Sequence, residues 1–240
     1  MKKNTINLLQ LYPRDMNIYG DYGNVLVIKR RLEWYGYHVN LLTYDPGDSF
    51  PDEVDIIIGG GGQDSGQTKI QQDLLEIGPH LRELANGGVP MLMVCGLYQL
   101  FGRFFKTANG EIIKGIALLD IETYGLSERL IGNIILDSPE FGKIYGYENH
   151  SGQTFLGSGV TPLGKVVLGA GNNMKDSHEG VRYMNVVGSY LHGSLLPKNP
   201  AIADFLIETA VTNKFGDFST DIVDDHFAEL ARKTAAKRPR

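Results

Sequence analysis

The chain holds one cysteine in 240 residues, and it stands where a nucleophile would stand. In "MLMVCGLYQLFG" (91–102) four apolar residues run into Cys95, and a glycine and an amphipathic stretch follow. That order spells a strand, a sharp turn and a helix. A cysteine in such a turn exposes its sulfur, and the helix N-terminus behind it favours the thiolate. The same residue would serve equally as a small buried hydrophobe, and this segment alone leaves both possibilities open. A thiolate nucleophile requires a base. Of six histidines, His38 opens a strand, His80 follows Pro79 in a helical stretch, and His178 and His226 lie in polar surroundings; these four are read as structural or solvated. His150 in "YENHSGQT" and His192 in "SYLHGSLLP" each follow an aromatic-rich strand and precede a glycine-containing turn. His192 closes the last strand expected in the chain, so it can share a sheet edge with Cys95 and is the better base. His150 is left as a turn residue or a partner contact.

The glycines at 59–62 are the second chemical signal. "GGGGQDSGQTK" lacks the spacing of a phosphate-binding P-loop, and no G-x-G-x-x-G opens a helix directly. It is read as a loop whose backbone N–H groups, around Gly60 and Gly61, point at the site as oxyanion donors. No Cys/His cluster has zinc spacing, and no metal site is expected.

The elements that must position these groups follow from the apolar pattern. "TINLLQLY" (5–12), "HVNLLTY" (38–44), "VDIIIGGGG" (54–62) and "PMLMVC" (90–95) read as strands. "YGNVLVIKRRLEWYG" (22–36) places Val25, Ile28, Leu32 and Tyr35 at helical spacing. "KIQQDLLEIGPHLRELANGG" (69–88) reads as a helix broken near Gly78-Pro79, and "GLYQLFGRFF" (96–105) as the helix after the cysteine. Such alternation predicts an α/β layer with a parallel sheet. Sites in these sheets form beyond the carboxyl ends of the strands, where Cys95 and the glycine run both fall. From "ALLDIETYG" to "VRYMNVVGSYLHG" the chain is mostly short strands between glycine turns, and helices near 199–213 and 222–236 close it. With no repeat or linker, residues 1–240 are read as a single domain, with a basic C-terminal tail from about 231.

The net charge of −5 gives no reason to expect nucleic-acid binding. A single cysteine forms no internal disulfide and fits a reducing cytoplasm. No apolar run approaches the roughly 20 residues of a membrane helix, and the N-terminal stretch lacks the cleavage site of a signal peptide. The expectation is a cytoplasmic protein without membrane insertion.

An ordered set of segments carries a family resemblance: "MNIYGDYGN" (16–24), "IIIGGGGQD" (56–64), "VCGLYQLFG" (94–102), "SERLIGN" (127–133), "FGKIYGYENHSGQT" (141–154), "LGAGNN" (168–173) and "GSYLHGSLLPKNP" (188–200). These resemble the class I, or triad-type, glutamine amidotransferases, in the branch related to the cobyric acid synthases. The elbow of that branch reads roughly Cys-Gly-Gly-Tyr-Gln; here it reads Cys95-Gly96-Leu97-Tyr98-Gln99. Within the branch the likeness points to the glutaminase subunits of lipid II isoglutaminyl synthases, over almost the whole chain.

The resemblance implies a central, mostly parallel sheet flanked by helices, with an added β-rich portion. It implies that Cys95 attacks the side-chain amide of glutamine, that His192 takes the thiol proton and returns it to leaving ammonia, and that water releases glutamate. Gly60 or Gly61, with the N–H of Gly96 or Leu97, would hold the oxyanion; Gln99 stands with the substrate-binding set. Arg129 matches an arginine assigned to substrate, and a guanidinium can grip the α-carboxylate of glutamine. Two departures are informative. Leu97 stands where many relatives have glycine, which predicts a narrowed elbow. His192 is followed by Gly193 and Ser194, where triad amidotransferases carry an acid two residues on. The substitute is Glu148, or a carboxylate supplied by the synthetase partner.

With no ATP site of its own, the chain is expected to need no cofactor and to work beside a Mur-ligase-like synthetase subunit, MurT in that family, that carries ATP and Mg. The heterodimer would amidate the D-glutamate of the lipid II stem peptide. The alternatives are a cobyrinic-acid-type acceptor, another cysteine-elbow hydrolase on the same sheet, or a non-catalytic docking module.

Overall fold

A computed structural model describes residues 4–219 and 223–238. Its first sheet is the expected α/β layer. Strands β1 (Thr5–Leu11), β2 (His38–Tyr44), β3 (Ile56–Gly59) and β4 (Met91–Val94) alternate with helices α1 (Tyr22–Trp34), α2 (Asp64–Asn86) and α3 (Gly96–Phe101). With β11 (Val181–Tyr183) and β12 (Val186–Ser189) they form a six-stranded sheet in the order β11-β12-β4-β3-β1-β2. Every pairing is parallel except β11 with β12. β3 and β4 are buried at every residue, which is why they read as unbroken apolar runs.

The β-rich portion is a second sheet. It contains β5 (Phe104–Lys106), β6 (Ile112–Lys114), the long hairpin of β7 (Ile121–Ser138) and β8 (Gly142–Leu156), then β9 (Gly164–Leu168) and β10 (His178–Glu179). After β12 the chain leaves the first sheet and enters the second as β13 (Leu191–His192), antiparallel to β8. Helices α4 (Pro200–Phe215) and α5 (His226–Ala235) close the described chain.

Five elements differ from the sequence expectation. The strand expected over 54–62 is confined to Ile56–Gly59, and residues 60–63 run irregularly from its end to α2. α2 begins at Asp64 and runs unbroken through Pro79. Its buried residues Gln67, Ile70, Leu74, Gly78, Leu81 and Ala85 keep one stripe on both sides of the proline, so burial of that whole face offsets the lost hydrogen bond. The helix expected over 96–105 stops at Phe101, where Gly102 turns extended, and Phe104–Lys106 becomes β5. Where short strands between glycine turns were expected, Ile121–Ser138 is one long strand, β7, whose register shifts between Gly125 and Leu130; residues 126–129 lie in this irregularity and are exposed. The C-terminal helix begins at His226; residue 222, where it was expected to start, and residues 239 and 240 of the basic tail lie outside the described residues.

One buried charge ties the helical layer together. Arg31 of α1 is 5 % exposed and donates to Asp204 of α4 at 2.6–2.7 Å and to Asp225, just before α5, at 2.6 Å. Hydrogen bonds to charged groups contribute about 1.5–3 kcal/mol each, and the two carboxylates keep partial access to water. Arg31→Ala is therefore expected to lower stability by about 1.5–3 kcal/mol, read as a lower urea midpoint at unchanged m-value. An unchanged midpoint contradicts this role.

Candidate active site

Cys95 sits between β4 and α3 at φ 50°, ψ −101°. A non-glycine residue in this region is strained by about 1–3 kcal/mol and persists only where its surroundings hold it. Here the hold is visible. The Cys95 N–H donates to Ser189 O of the neighbouring strand at 2.8 Å, and Gln99 N–H donates to Cys95 O at 3.0 Å. Beneath the turn, Gln67 Nε2 donates to Gly96 O (3.1 Å) and to Gln99 Oε1 (2.6 Å), and Gln99 Nε2 donates to the Tyr190 hydroxyl (3.1 Å). Gln99 thus props the elbow as well as lining the cleft above it. A Cβ on Gly96 would fall 2.9 Å from Gly62 N, so only glycine fits after the cysteine.

Leu97 does not narrow the elbow. Its side chain is fully buried and turns inward onto Gly59, where a Cβ would meet Leu97 Cδ1 at 2.5 Å. The glycine in β3 makes the room that the sequence-based expectation missed.

His192 arrives from the other side, at the end of β13. A Cβ on Gly61 would lie 2.9 Å from Cys95 Cβ, 3.0 Å from His192 Cε1 and 3.3 Å from Asp21 Oδ2. Cysteine, histidine and one aspartate therefore converge on this glycine. His192 Nδ1 faces Asp21 Oδ1 at 3.4 Å, and both side chains are almost fully buried. Its Nε2 is buried with no hydrogen-bond partner among the described residues and is the nitrogen left to exchange a proton with the thiol. Burial alone would lower the pKa of His192, but the negative charge of Cys95 in its thiolate form and the Asp21 carboxylate outweigh it and push the pKa up to about 10.

Asp21 is therefore the carboxylate that faces the imidazole, and the sequence did not locate it. Glu148, the expected internal substitute, spends its carboxylate on the backbone N–H groups of Ala170 (2.9 and 3.2 Å) and Gly171 (2.9 Å). Asp21 comes from a distant turn. Residues Ile18–Gly20 form a 3-10 turn with Tyr19 at φ 59°, and α1 begins just after. Ser194, two residues past the histidine where an acid was sought, donates instead to Gly20 O at 2.7 Å. A Cβ on Gly23 would strike Ser194 Oγ at 2.1 Å. The residue in the acid's place thus holds the turn that carries the acid. Tyr19 lays its ring against His192, 4.8 Å between centroids.

The loop glycines divide their work differently from expectation. Gly60 O accepts the N–H of Leu97 at 3.3 Å, and Gly61 N–H donates to Asp21 Oδ2 at 2.7 Å. Those N–H groups of Leu97 and Gly61 are occupied, and it is Gly62 that lines the cleft beside Cys95.

A cleft of about 570 Å³ opens above Cys95, walled by Tyr19, Gly62, Gln63, Gln99, Arg129 and Asn149 among others. Arg129, carried by the β7 irregularity, reaches it from the second sheet. His150 also borders it, yet burial pushes its pKa down to about 3. The neutral ring donates from Nδ1 to Gly152 O (2.6 Å) and stacks on Tyr190 at 3.7 Å, so it is part of the packing. Glu179 was also missed: burial and the nearby Glu148 raise its pKa to about 8, and it accepts the Tyr190 N–H at 2.7 Å, bracing the chain as it turns toward His192. His80, His178 and His226 lie at the surface.

A left-handed cysteine between strand and helix, with a buried histidine and aspartate at its side, defines a thiol hydrolase of the class I amidotransferase kind. Residues 7–200 match the model of the CobB/CobQ-like glutamine amidotransferase domain, and the chain belongs to that family. It is 37 % identical over 219 residues to the lipid II isoglutaminyl synthase (glutamine-hydrolyzing) subunit GatD of Staphylococcus aureus, covering 91 % of this chain and 89 % of that one. To the GatD subunit of Streptococcus pneumoniae it is 40 % identical over 219 residues, covering 88 % and 82 %. Among solved structures, a glutamine amidotransferase superposes with a TM-score of 0.60 at 17 % identity, over 84 % of this chain and 98 % of that one. Another, from Thermotoga maritima, gives 0.56 at 15 %, over 96 % and 93 %.

The raised pKa of His192 makes stability depend on pH. The folded state binds the proton more tightly than the unfolded state, whose value is about 6.5. The stabilisation is complete below about pH 6.5 and is lost as pH rises toward about 10. Asp21→Asn removes part of the cause. It should move the His192 titration, followed by NMR, to lower pH and flatten the fall in stability between those limits. An unmoved titration would remove Asp21 from the site.

Proposed function

We propose that this chain is the glutaminase subunit of a lipid II isoglutaminyl synthase, with Cys95, His192 and Asp21 as its triad. The convergence of these three side chains on Gly61 carries the reading. Cys95 Sγ adds to the side-chain carbonyl carbon of glutamine. His192 Nε2 holds the thiol proton and delivers it to the departing amine, leaving a glutamyl thioester and ammonia. Water then adds to the thioester, the imidazole takes its proton, and glutamate leaves as Cys95 is restored. Gly62, beside Cys95, is placed to donate to the oxyanion. Arg129 would hold the α-carboxylate at the far wall of the cleft.

Asp21 orients the imidazole, but 3.4 Å is long for a charge-assisted bond, which runs nearer 2.7–2.9 Å. Catalytic contacts in free enzymes often tighten only in the working complex. The partner is a Mur-ligase-like, ATP-using subunit of the MurT kind, and its ATP and Mg belong to that subunit. The complex would work in the cytoplasm on D-glutamate in the lipid II stem peptide. The whole-length similarity to two GatD subunits supports this acceptor over the cobyrinic-acid alternative. No helix among the described residues is long and apolar enough to cross a membrane.

Cys95→Ala should abolish ammonia release from glutamine with the fold intact, and His192→Ala should cost about 10³-fold or more in kcat, since the two act as a unit. Near-normal ammonia release by Cys95→Ala would end the reading. Arg129→Ala should act on KM: a desolvated charge pair broken on one side costs about 2–5 kcal/mol, so KM rises at least about 30-fold. The isolated chain should hydrolyse glutamine slowly, and adding the ligase subunit should raise kcat more than it changes KM. Equal turnover with and without the partner would show that the triad is already fully set.

A further inference from the structure

The guanidinium of Arg129 does not reach the cleft unaided. Arg129 sits in the irregularity of β7, exposed to solvent, where a long side chain samples many rotamers. Three hydrogen bonds hold it in one of them. Its Nε and Nη2 donate to Asn149 Oδ1 at 3.1 and 2.8 Å, and Nη2 also donates to Asn149 O at 3.2 Å. Asn149 is paired with Ile131 in the β7–β8 ladder, so its backbone is fixed. Both residues line the cleft that holds Cys95.

The choice of an amide here has an electrostatic consequence. A guanidinium can only donate, so it must meet the oxygen of the carboxamide, which presents the same fork to it as one oxygen of a carboxylate. An aspartate would make the same contact and cancel the charge. Asn149 fixes the geometry through neutral oxygens and leaves the positive charge unspent for an anion in the cleft. Because Nε and Nη2 are taken by Asn149, Nη1 is the part of the fork left for a ligand.

We propose that Asn149 is a positioning residue for glutamine binding: it pre-orients Arg129 over the cleft and, by being neutral, keeps its charge available for the substrate α-carboxylate. This rests on the assignment of Arg129 to that carboxylate. Asn149 touches no reacting atom, so its effect belongs in KM and not in kcat. The size of the residue matters less than its charge, because the oxygen that accepts from Arg129 is present in both Asn and Asp.

The test is steady-state glutamine hydrolysis by the full chain, with ammonia as the readout and circular dichroism as the check on folding. Asn149→Ala should raise KM about tenfold, and Asn149→Asp should raise it further, each with kcat within about threefold of wild type. In the Arg129→Ala background, Asn149→Ala should change KM by less than about twofold, since its lever is gone. Arg129→Lys keeps the charge but loses the fork to Asn149; it should resemble Asn149→Ala, and it tests the same contact if the Asn149 variants fail to fold. An Asn149→Asp enzyme that binds glutamine as well as Asn149→Ala, or an Asn149→Ala effect of full size in the Arg129→Ala background, overturns the proposal while leaving Arg129 in place. An unchanged KM for Arg129→Ala overturns the Arg129 assignment, and the role of Asn149 with it.

Discussion

The left-handed backbone at Cys95 is the constraint from which the rest of the site follows. It presents the sulfur to the cleft and aims the first turn of α3 away from β4. It also has to be enforced, because an L-residue does not stay there unassisted. The enforcement comes from three directions: Ser189 of the neighbouring strand, Gln67 of α2, and the hydroxyl of Tyr190 acting through Gln99. The glycines around the turn are the space it needs. Gly96 admits Gly62, Gly59 admits Leu97, and Gly61 admits the cysteine, histidine and aspartate together.

Charge is arranged around the same point. Asp21 meets both the imidazole and the Gly61 N–H, one oxygen on each. The carboxylate thereby fixes the ring that must move protons and the glycine loop that flanks the nucleophile. A change in the turn of Ile18–Gly20 would be felt by base and loop together.

The first sheet was legible because its signal is local. Buried strands such as β3 and β4 are uninterrupted apolar runs, and α1 shows its stripe plainly. Cys95 was legible because the end of β4 places it on a known edge; His192 does not share that edge as expected, because the chain leaves β12 at Ser189 and His192 lies on β13 of the second sheet, from which it reaches the cysteine. Asp21 was not legible, since 171 residues separate it from His192 and nothing in "YGDYGN" marks one acid among many. Its only trace was negative: Ser194 in the acid's place. Glu148 was a reasonable substitute by position, but β8 turns its carboxylate to the loop at 170–171. The continuity of α2 through Pro79 was hidden because a single residue's propensity argues against it, and only the burial of the whole stripe overrides it. Asn149 carried no signal at all, because its role is a contact across the β7 irregularity.

The passage of the chain from β12 to β13 ties the site to both sheets. Cys95 belongs to the first, Arg129 to the second, and His192 is registered by its pairing with β8. Protein regions open independently, with smaller free energies than the whole. A fluctuation that loosens only the β7–β8 hairpin would displace base and substrate clamp together, while the nucleophile stayed seated on an intact core. Competence for turnover thus requires both sheets to keep their mutual placement, whereas the nucleophile's own seat requires only the first.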